Sequence, residues 1–416
     1  MGRLAAVDAQ TYWMAATIPS DQFLLYAFAG PVPDVPAVVR ALRERARRCP
    51  DFRLRIQDRG PGYPRWVRGD VAAQQTVVHP VPGRWADLLD AVARLVDDQL
   101  DPRAMAWRLH VFPEVEDIPG GGDGVVAVLQ VAHALADGVR SLALAAWLFG
   151  RDTPVAPVAP PRPLEPLALP LRACRAARTH RQLVRDTTTG VVAPPPDSCP
   201  VLSCNNRPEG RRRIRTVVRP RVRIPGPTVT VGVLAAVADA LAGYLRERGE
   251  DPSRLGAEVP MAKAGQRRAR NHFGNVGVGL YPALPFAERA ARVADELAMR
   301  RRRAAHPAMA AADRAFAAMP GPLLRWGVAQ FDPTLRSPTV TGNTVLSSVN
   351  RGPADLRFGS AAAVLTAGFP ALSPMMGLTH GVHGIGDTVT ISIYAAESAV
   401  ADIDSYAARL AAALDP

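Results

Sequence analysis

Six residues near the first third of the chain have the types and spacing for acid–base chemistry: His133-Ala134-Leu135-Ala136-Asp137-Gly138. An imidazole has an ordinary pKa of about 6.5, so at neutral pH it is largely uncharged and able to take a proton. A carboxylate four residues on could orient that ring or brace its loop, and spacing alone leaves both roles open. Glycine at 138 gives the backbone room to turn. The pattern suits a general base held at a corner of the fold. A histidine ending an apolar strand also serves as a plain structural residue, so the neighbouring sequence has to decide between the two.

The elements that must position this histidine are legible on both sides. Gly124-Val-Val-Ala-Val-Leu-Gln-Val-Ala132 is short and rich in β-branched residues, as a buried strand requires. Val139 to Phe149 is mostly Ala and Leu and predicts a helix. Upstream, strands are expected at 23–29, 52–57 and 107–112, with amphipathic helices at 35–48 and 85–100. A Pro-dense run from 154 to 170 can continue neither helix nor sheet, and a basic helical stretch follows at 171–185.

Downstream, 213–218 reads as a strand and 228–248 as a long helix with Val233, Val237, Leu241 and Tyr244 on one face. Helices are expected at 286–305 and 309–330, and strands at 339–349, 358–366 and 388–394. A final helix is expected at 401–414. His380-Gly-Val-His383 reads as a glycine-rich turn; its spacing can chelate, but no acidic or Cys partner is nearby, so no metal site is expected. The plain organisation is two mixed α/β halves: 1–153 carrying the motif, a crossover at 154–208, and 209–416.

The chain has 416 residues, 48% of them hydrophobic, enough for more than one core and too apolar for general disorder. Its net charge of +12 would ordinarily suggest a polyanionic partner. Lys263, however, is the single lysine among 50 basic residues, and Ala, Pro, Gly and Val abound, as in GC-rich coding sequence. No nucleic-acid partner is expected. Four cysteines give no disulfide framework and fit a reducing interior. No signal core opens the chain, and the most apolar window, 125–149, is interrupted by His133, Asp137 and Arg140. These features point to a cytoplasmic protein.

The motif and its surroundings resemble the bacterial wax ester synthase/diacylglycerol acyltransferases, within the CoA-dependent acyltransferases that carry His-x-x-x-Asp-Gly. Leu4-Ala-Ala-Val-Asp8-Ala9, Trp107-Arg-Leu-His110, the helix from Thr228 to Gly249, and Gly274-Asn275 followed by Leu284-Pro285 stand in the family's order. So does the stretch from Ser347 through Gly352-Pro353 to Gly359. The chain also departs from the family. Ala132 replaces the first of two histidines, Met105-Ala106-Trp107 replaces Pro-Leu-Trp, and Thr230-Val231 replaces Asn-Asp. The Ser-Asn-Val-Pro-Gly-Pro turn carries an extra residue.

The resemblance implies a two-subdomain, chloramphenicol-acetyltransferase-like α/β fold with a tunnel between the halves. It implies that His133 is the base for acyl transfer from acyl-CoA to a hydroxyl acceptor such as diacylglycerol or a long-chain alcohol, with no resident cofactor. Asp137 would pair with an arginine, and Gly138 would keep the tunnel clear. Asn275, Ser347 and Ser348 are candidates for the oxyanion or for substrate. Arginines at 211–215, 267–270 and 300–303 are candidates for the CoA phosphates. The basic helix 171–185, with Leu171, Leu183 and Val184, is a candidate for peripheral contact with a membrane or lipid droplet. Two other readings stand beside this one: acylation of a different hydroxyl or amine, as in condensation domains, and a non-catalytic homologue that binds acyl chains or a partner.

Overall fold

The fold is taken from a computed structural model, which describes residues 2–162 and 165–415. Two residues of the expected crossover, 163 and 164, thus lie outside the described ones. In the first half the order is α1 (Ala6–Met14), β1 (Gln22–Ala29), α2 (Val35–Arg48), β2 (Leu54–Gln57), β3 (Arg65–Arg68), β4 (Thr76–Val78) and α3 (Trp85–Leu95). Then come β5 (Trp107–Ile118), β6 (Gly122–Val131) and α4 (Gly138–Leu148). The crossover carries α5 (Leu169–Thr188) and β7 (Cys199–Pro200).

The second half runs β8 (Arg212–Pro220), α6 (Val229–Glu247), β9 (Gly256–Ala262), β10 (Phe273–Gly279), α7 (Phe286–Ala304), α8 (Pro307–Ala317) and α9 (Gly321–Ala329). It closes with β11 (Thr339–Val340), β12 (Thr344–Asn350), β13 (Arg357–Phe358), β14 (Ala361–Gly368), β15 (Leu378–Ile385), β16 (Thr388–Ala396) and α10 (Ile403–Ala413).

Two six-stranded sheets result, ordered β13-β14-β1-β6-β5-β4 and β10-β9-β12-β15-β16-β8. The first includes chain from both halves: β14 runs antiparallel to β1, with Leu24 opposite Gly368. The boundary drawn at 209 is therefore crossed, because two strands of the second half complete the sheet of the first. β1 alternates Leu24, Tyr26 and Phe28 into a core shared with α2 and α4. Its Phe23, Leu25 and Ala27 enter a second core under α3 that also takes Ile214 and Tyr394 from the other sheet. A strand buried on both faces reads as a continuous apolar run, as β6 does.

The sheets approach closely at two glycines. A Cβ on Gly381 would lie 2.1 Å from the Gly368 carbonyl oxygen, so neither position has room for another side chain without moving backbone. α6, whose Thr228 N-cap accepts from the Val231 amide at 3.3 Å, fills the core of the second half. It is long and apolar enough to cross a bilayer, yet most of it is buried in that core.

Several expected elements change. His380 to His383 form part of β15 rather than a turn; burial on both faces and pairing between β12 and β16 outweigh the glycines. The single helix expected at 309–330 is broken before Gly321, where Pro320 ends α8 and caps α9. The strand expected at 339–349 is two, β11 and β12, separated at Gly342, whose position leaves no space for a Cβ beside the Ala257–Glu258 backbone.

Candidate active site

His133 sits one residue beyond the Ala132 amide that closes the end of β6 by bonding the Ala106 carbonyl at 3.0 Å. The loop then delivers Asp137 to the N-cap of α4, where its carboxylate accepts from the Arg140 amide at 3.0 Å. Strand, loop and helix thus fix the histidine from both sides. Its ring stacks on Phe273 of β10, with centroids 5.6 Å apart and planes 27° apart. The imidazole therefore stands at the junction of the two halves. Nδ1 is buried and finds no hydrogen-bond partner among the described residues. Burial pulls the ring's pKa below its ordinary value, against the opposing pull of its own carbonyl, the Asn271 side chain and the Asp137 charge. The ring is neutral at pH 7, as a base must be before it acts.

Asp137 makes no hydrogen bond to His133 among the described residues. Its carboxylate meets the Arg267 guanidinium at 2.8 Å and the His272 amide at 2.8 Å. The segment 267–272 before β10 is the strap that joins the halves. Arg270 reaches Asp51 at 3.0 Å and lies over the Trp66 ring, and Arg140 pairs with the same Asp51 carboxylate. That carboxylate is held below the usual range: burial opposes ionisation, and the two guanidiniums more than offset it. Asp8 of α1 accepts from the backbone amides of Arg270 and Asn271 at 3.0 and 2.9 Å. The Asn271 amide group donates both to Asp8 at 3.1 Å and to the His133 carbonyl at 2.9 Å.

The remaining candidates do not converge on one point. Gly138 has Val349 of β12 as nearest neighbour, 3.9 Å from where a Cβ would stand. A methyl fits there, so only a larger side chain would obstruct. On β12, Ser347 and Ser348 point to opposite faces. Ser348 accepts from Thr230 of α6 at 2.8 Å, while Ser347 shares the face of Val349. Ser348 and Thr230 line a cavity of 370 Å³ together with Thr228, Asn350, Gly384 and Arg221. Asn275 is exposed, and its amide is taken up by Glu258 at 3.3 Å. It stands apart from Ser348.

Of the arginines expected at a CoA mouth, Arg270 and Arg300 are buried, and Arg267 is engaged by Asp137. Arg300 bonds Glu296, the Gly277 carbonyl and the Pro194 carbonyl. Arg215 is held by Asp90 and Asp404. These are structural pairings; the arginine bias of the sequence concealed how many have partners. Asp8, Asp51, Asn271 and Phe273 carried no expected role. Only Asp8 had a signal, as part of the opening motif. Among the described residues no group of three or more His, Cys, Asp or Glu is placed to hold a metal.

Residues 24–229 match the family model described as the wax ester synthase/diacylglycerol acyltransferase catalytic domain. The chain belongs to the wax ester synthase/diacylglycerol acyltransferase family. A solved wax ester synthase/diacylglycerol acyltransferase of Marinobacter aquaeolei VT8 shares the fold at a TM-score of 0.66, with 20% identity over 99% of this chain and 98% of that one. A starter condensation domain of rhizomide synthetase, a variant in complex with C8-CoA and Leu-SNAC, shares it at a TM-score of 0.59 with 14% identity, covering 99% and 92%. These likenesses bear out the two-lobed α/β fold class. A probable diacylglycerol O-acyltransferase of Mycobacterium tuberculosis is 31% identical over 131 residues, 30% of this chain. A putative one of Mycobacterium bovis matches to the same extent. The matched stretch spans 27% of the length of these relatives. Against the wax ester synthase/diacylglycerol acyltransferase pattern, the Thr230–Ser348 hydrogen bond occupies the place where the first residue of the Asn-Asp pair would stand.

Proposed function

We propose that this chain moves a fatty acyl group from acyl-CoA to a hydroxyl acceptor, a diacylglycerol or a long-chain alcohol. What supports this most is His133: a neutral imidazole fixed by strand, loop and helix at the meeting of the two lobes, in a chain of this family. Nε2 takes the acceptor's O–H proton as the oxygen attacks the thioester carbonyl carbon. The C–S bond then breaks, and the departing CoA thiolate takes the proton back from the imidazolium. Products are an ester and free CoA thiol, and no covalent acyl-enzyme or resident cofactor is needed. Ser347, on the face of β12 that turns towards Gly138, is the candidate donor to the oxyanion.

Long-chain substrates partition into lipid, and the surface carries a fitting feature. α5 exposes Leu171 and Val184 among arginines, while Leu183 is buried, so two rather than three of its expected apolar residues face solvent. α9 adds exposed Leu323 and Trp326. We propose peripheral association of a cytoplasmic protein with an anionic lipid surface through these side chains. Co-sedimentation with anionic vesicles at low salt tests it, and indifference to them overturns it.

The reaction is tested by mass spectrometry of products formed from a panel of acyl-CoAs with diacylglycerol, long-chain alcohols and amines. Esters dependent on the enzyme support the proposal. Amides alone favour the condensation-type reading, and saturable acyl-CoA binding without product on any acceptor favours a non-catalytic homologue.

A further inference from the structure

The sheet of the second half has two unlike faces. Ala257 and Val259 of β9, Val278 of β10 and Leu346 of β12 point into the core shared with α6 and α7. Alternation puts Glu258 of β9, Phe273 and Asn275 of β10, and Val345, Ser347 and Val349 of β12 on the other side. Register agrees, since Glu258 pairs with Gly277 on one flank and with Val345 on the other. This second face looks at the first half: Phe273 stacks on His133, and Val349 is nearest to Gly138. Packing leaves part of it open. Asn275 is exposed, and Glu258, Val345 and Ser347 are half-buried. Its far end is closed, because a Cβ on Gly277 would meet Pro196 at 2.9 Å and Thr341 at 3.0 Å.

A carboxyl group without a counter-charge stands on this face. Glu258 accepts from the Asn275 amide at 3.3 Å, its one hydrogen bond among the described residues. Arginines meet the carboxylates of Asp51, Asp137 and Glu296, but among the described residues none meets Glu258. Burial raises its pKa, with the Asn275 hydrogen bond opposing. A half-buried carboxylate with an open acceptor oxygen is costly until a donor reaches it. The phosphates of CoA would be repelled there. Asn275 and Ser347, which can each donate and accept, suit a hydroxyl better than a cation. Phe273 and Asn275 are two residues apart on β10, about 7 Å, and the His133 ring lies 5.6 Å from that of Phe273, so a group held at Glu258 stands on the order of 10 Å from the base.

We propose that Glu258, supported by Asn275, selects the acyl acceptor by binding a second hydroxyl, remote from the one that reacts at His133. The proposal rests on the transfer reading above and narrows its acceptors to long-chain alcohols that carry a further hydroxyl. Plain alcohols and diacylglycerol, whose other oxygens only accept, leave the carboxylate without a donor and are served less well.

The test compares the eight-carbon α,ω-diol with its monomethyl ether, which has a similar length but cannot donate at its far end. Wild-type kcat/KM for the diol is expected to exceed that for the ether about tenfold, against the roughly twofold that two equivalent ends supply by number alone. Glu258→Leu is expected to bring the ratio down to that statistical value. A wild-type ratio no larger than statistical overturns the proposal, and so does an unchanged ratio in a folded Glu258→Leu protein. A change confined to KM for acyl-CoA places Glu258 on the path of the donor and also overturns it.

Should the leucine variant not fold, Glu258→Gln decides, because it keeps the shape and removes the charge. Its ratio is expected to fall at least about twofold, and a wild-type ratio overturns the proposal. Ligand-observed NMR of the diol on the unreacted protein gives the comparison without turnover. Diol binding that is weakened by Glu258→Gln, in a protein that transfers no acyl group, upholds the site and overturns the transfer reading alone. Diol binding indifferent to Glu258 overturns the site itself.

Discussion

The carboxylate of Asp137 lies 2.8 Å from the guanidinium of Arg267, and the two residues belong to different halves of the molecule. The aspartate of the motif is thus a fastener between lobes. Its buried oxygens also serve the His272 and Arg140 amides, so removing it leaves those two donors without an acceptor and Arg267 without its counter-charge, though that guanidinium keeps the Arg270 carbonyl. Asp137→Ala is expected to cost about 3 kcal/mol of stability. Arg267→Ala is expected to cost less, because that side chain is partly exposed. The double variant should be less destabilised than the two effects added, which urea denaturation of the four proteins measures.

Gly138 has a conformation open to other residues and 3.9 Å of clearance to Val349. Gly138→Ala should keep activity and hold or slightly raise Tm, since alanine suits the start of α4 better than glycine. Gly138→Trp should fill the gap to β12 and cut acyl transfer at least about tenfold while the protein stays folded. Equal activity in the two variants would remove Gly138 from the substrate path.

Phe273 covers the His133 ring, and burial is the main cause of that ring's low pKa. Phe273→Ala admits water, which favours the charged imidazole and raises its pKa. Activity at pH 6 should therefore fall relative to pH 8, moving the acid limb of the rate profile upward. A profile that overlays the wild type would show that the ring's environment is set elsewhere.

Acid should destabilise the protein before carboxylates of ordinary pKa titrate. Burial holds His110 at about 4, His380 at about 3, and His133 and His383 lower than usual. In the unfolded chain each takes a proton at about 6.5, so stability is lost as pH falls from there. Asp8 and Asp21, pushed up to about 6, act the other way once pH drops below that value. The histidines begin earlier and are more numerous. The urea midpoint should fall from pH 7 to pH 5, reporting a loss of unfolding free energy of about 1.4 kcal/mol per pH unit for each net proton. A flat or rising midpoint would contradict this balance.

The motif corner was readable because its signals are local. A β-branched run, a histidine, an Asp N-cap and an Ala/Leu helix follow one another within 26 residues of sequence from Gly124 to Phe149, and β6 and α4 fall there. The strap was not readable. Arg267, Arg270 and Asn271 look like one more arginine-rich loop, and only the tertiary fold brings them to Asp137, Asp51 and Asp8. β14 was recognised as a strand, but which sheet it joins depends on pairing over more than 300 residues. β15 is hidden because its glycines mimic a turn, whereas Gly381 is there to let the Gly368 carbonyl approach. The expected set Asn275, Ser347 and Ser348 does not converge because alternation along β12 turns its two serines to opposite faces, and β9 lies between that strand and Asn275 on β10.

The most direct test is thiol release from a long-chain acyl-CoA by the wild type and His133→Ala, with and without diacylglycerol or a long-chain alcohol. The account predicts acceptor-dependent release by the wild type, lowered at least about 10²-fold in a variant that keeps its Tm and still binds acyl-CoA. Equal release by the two proteins, in the presence of acceptor, would contradict it.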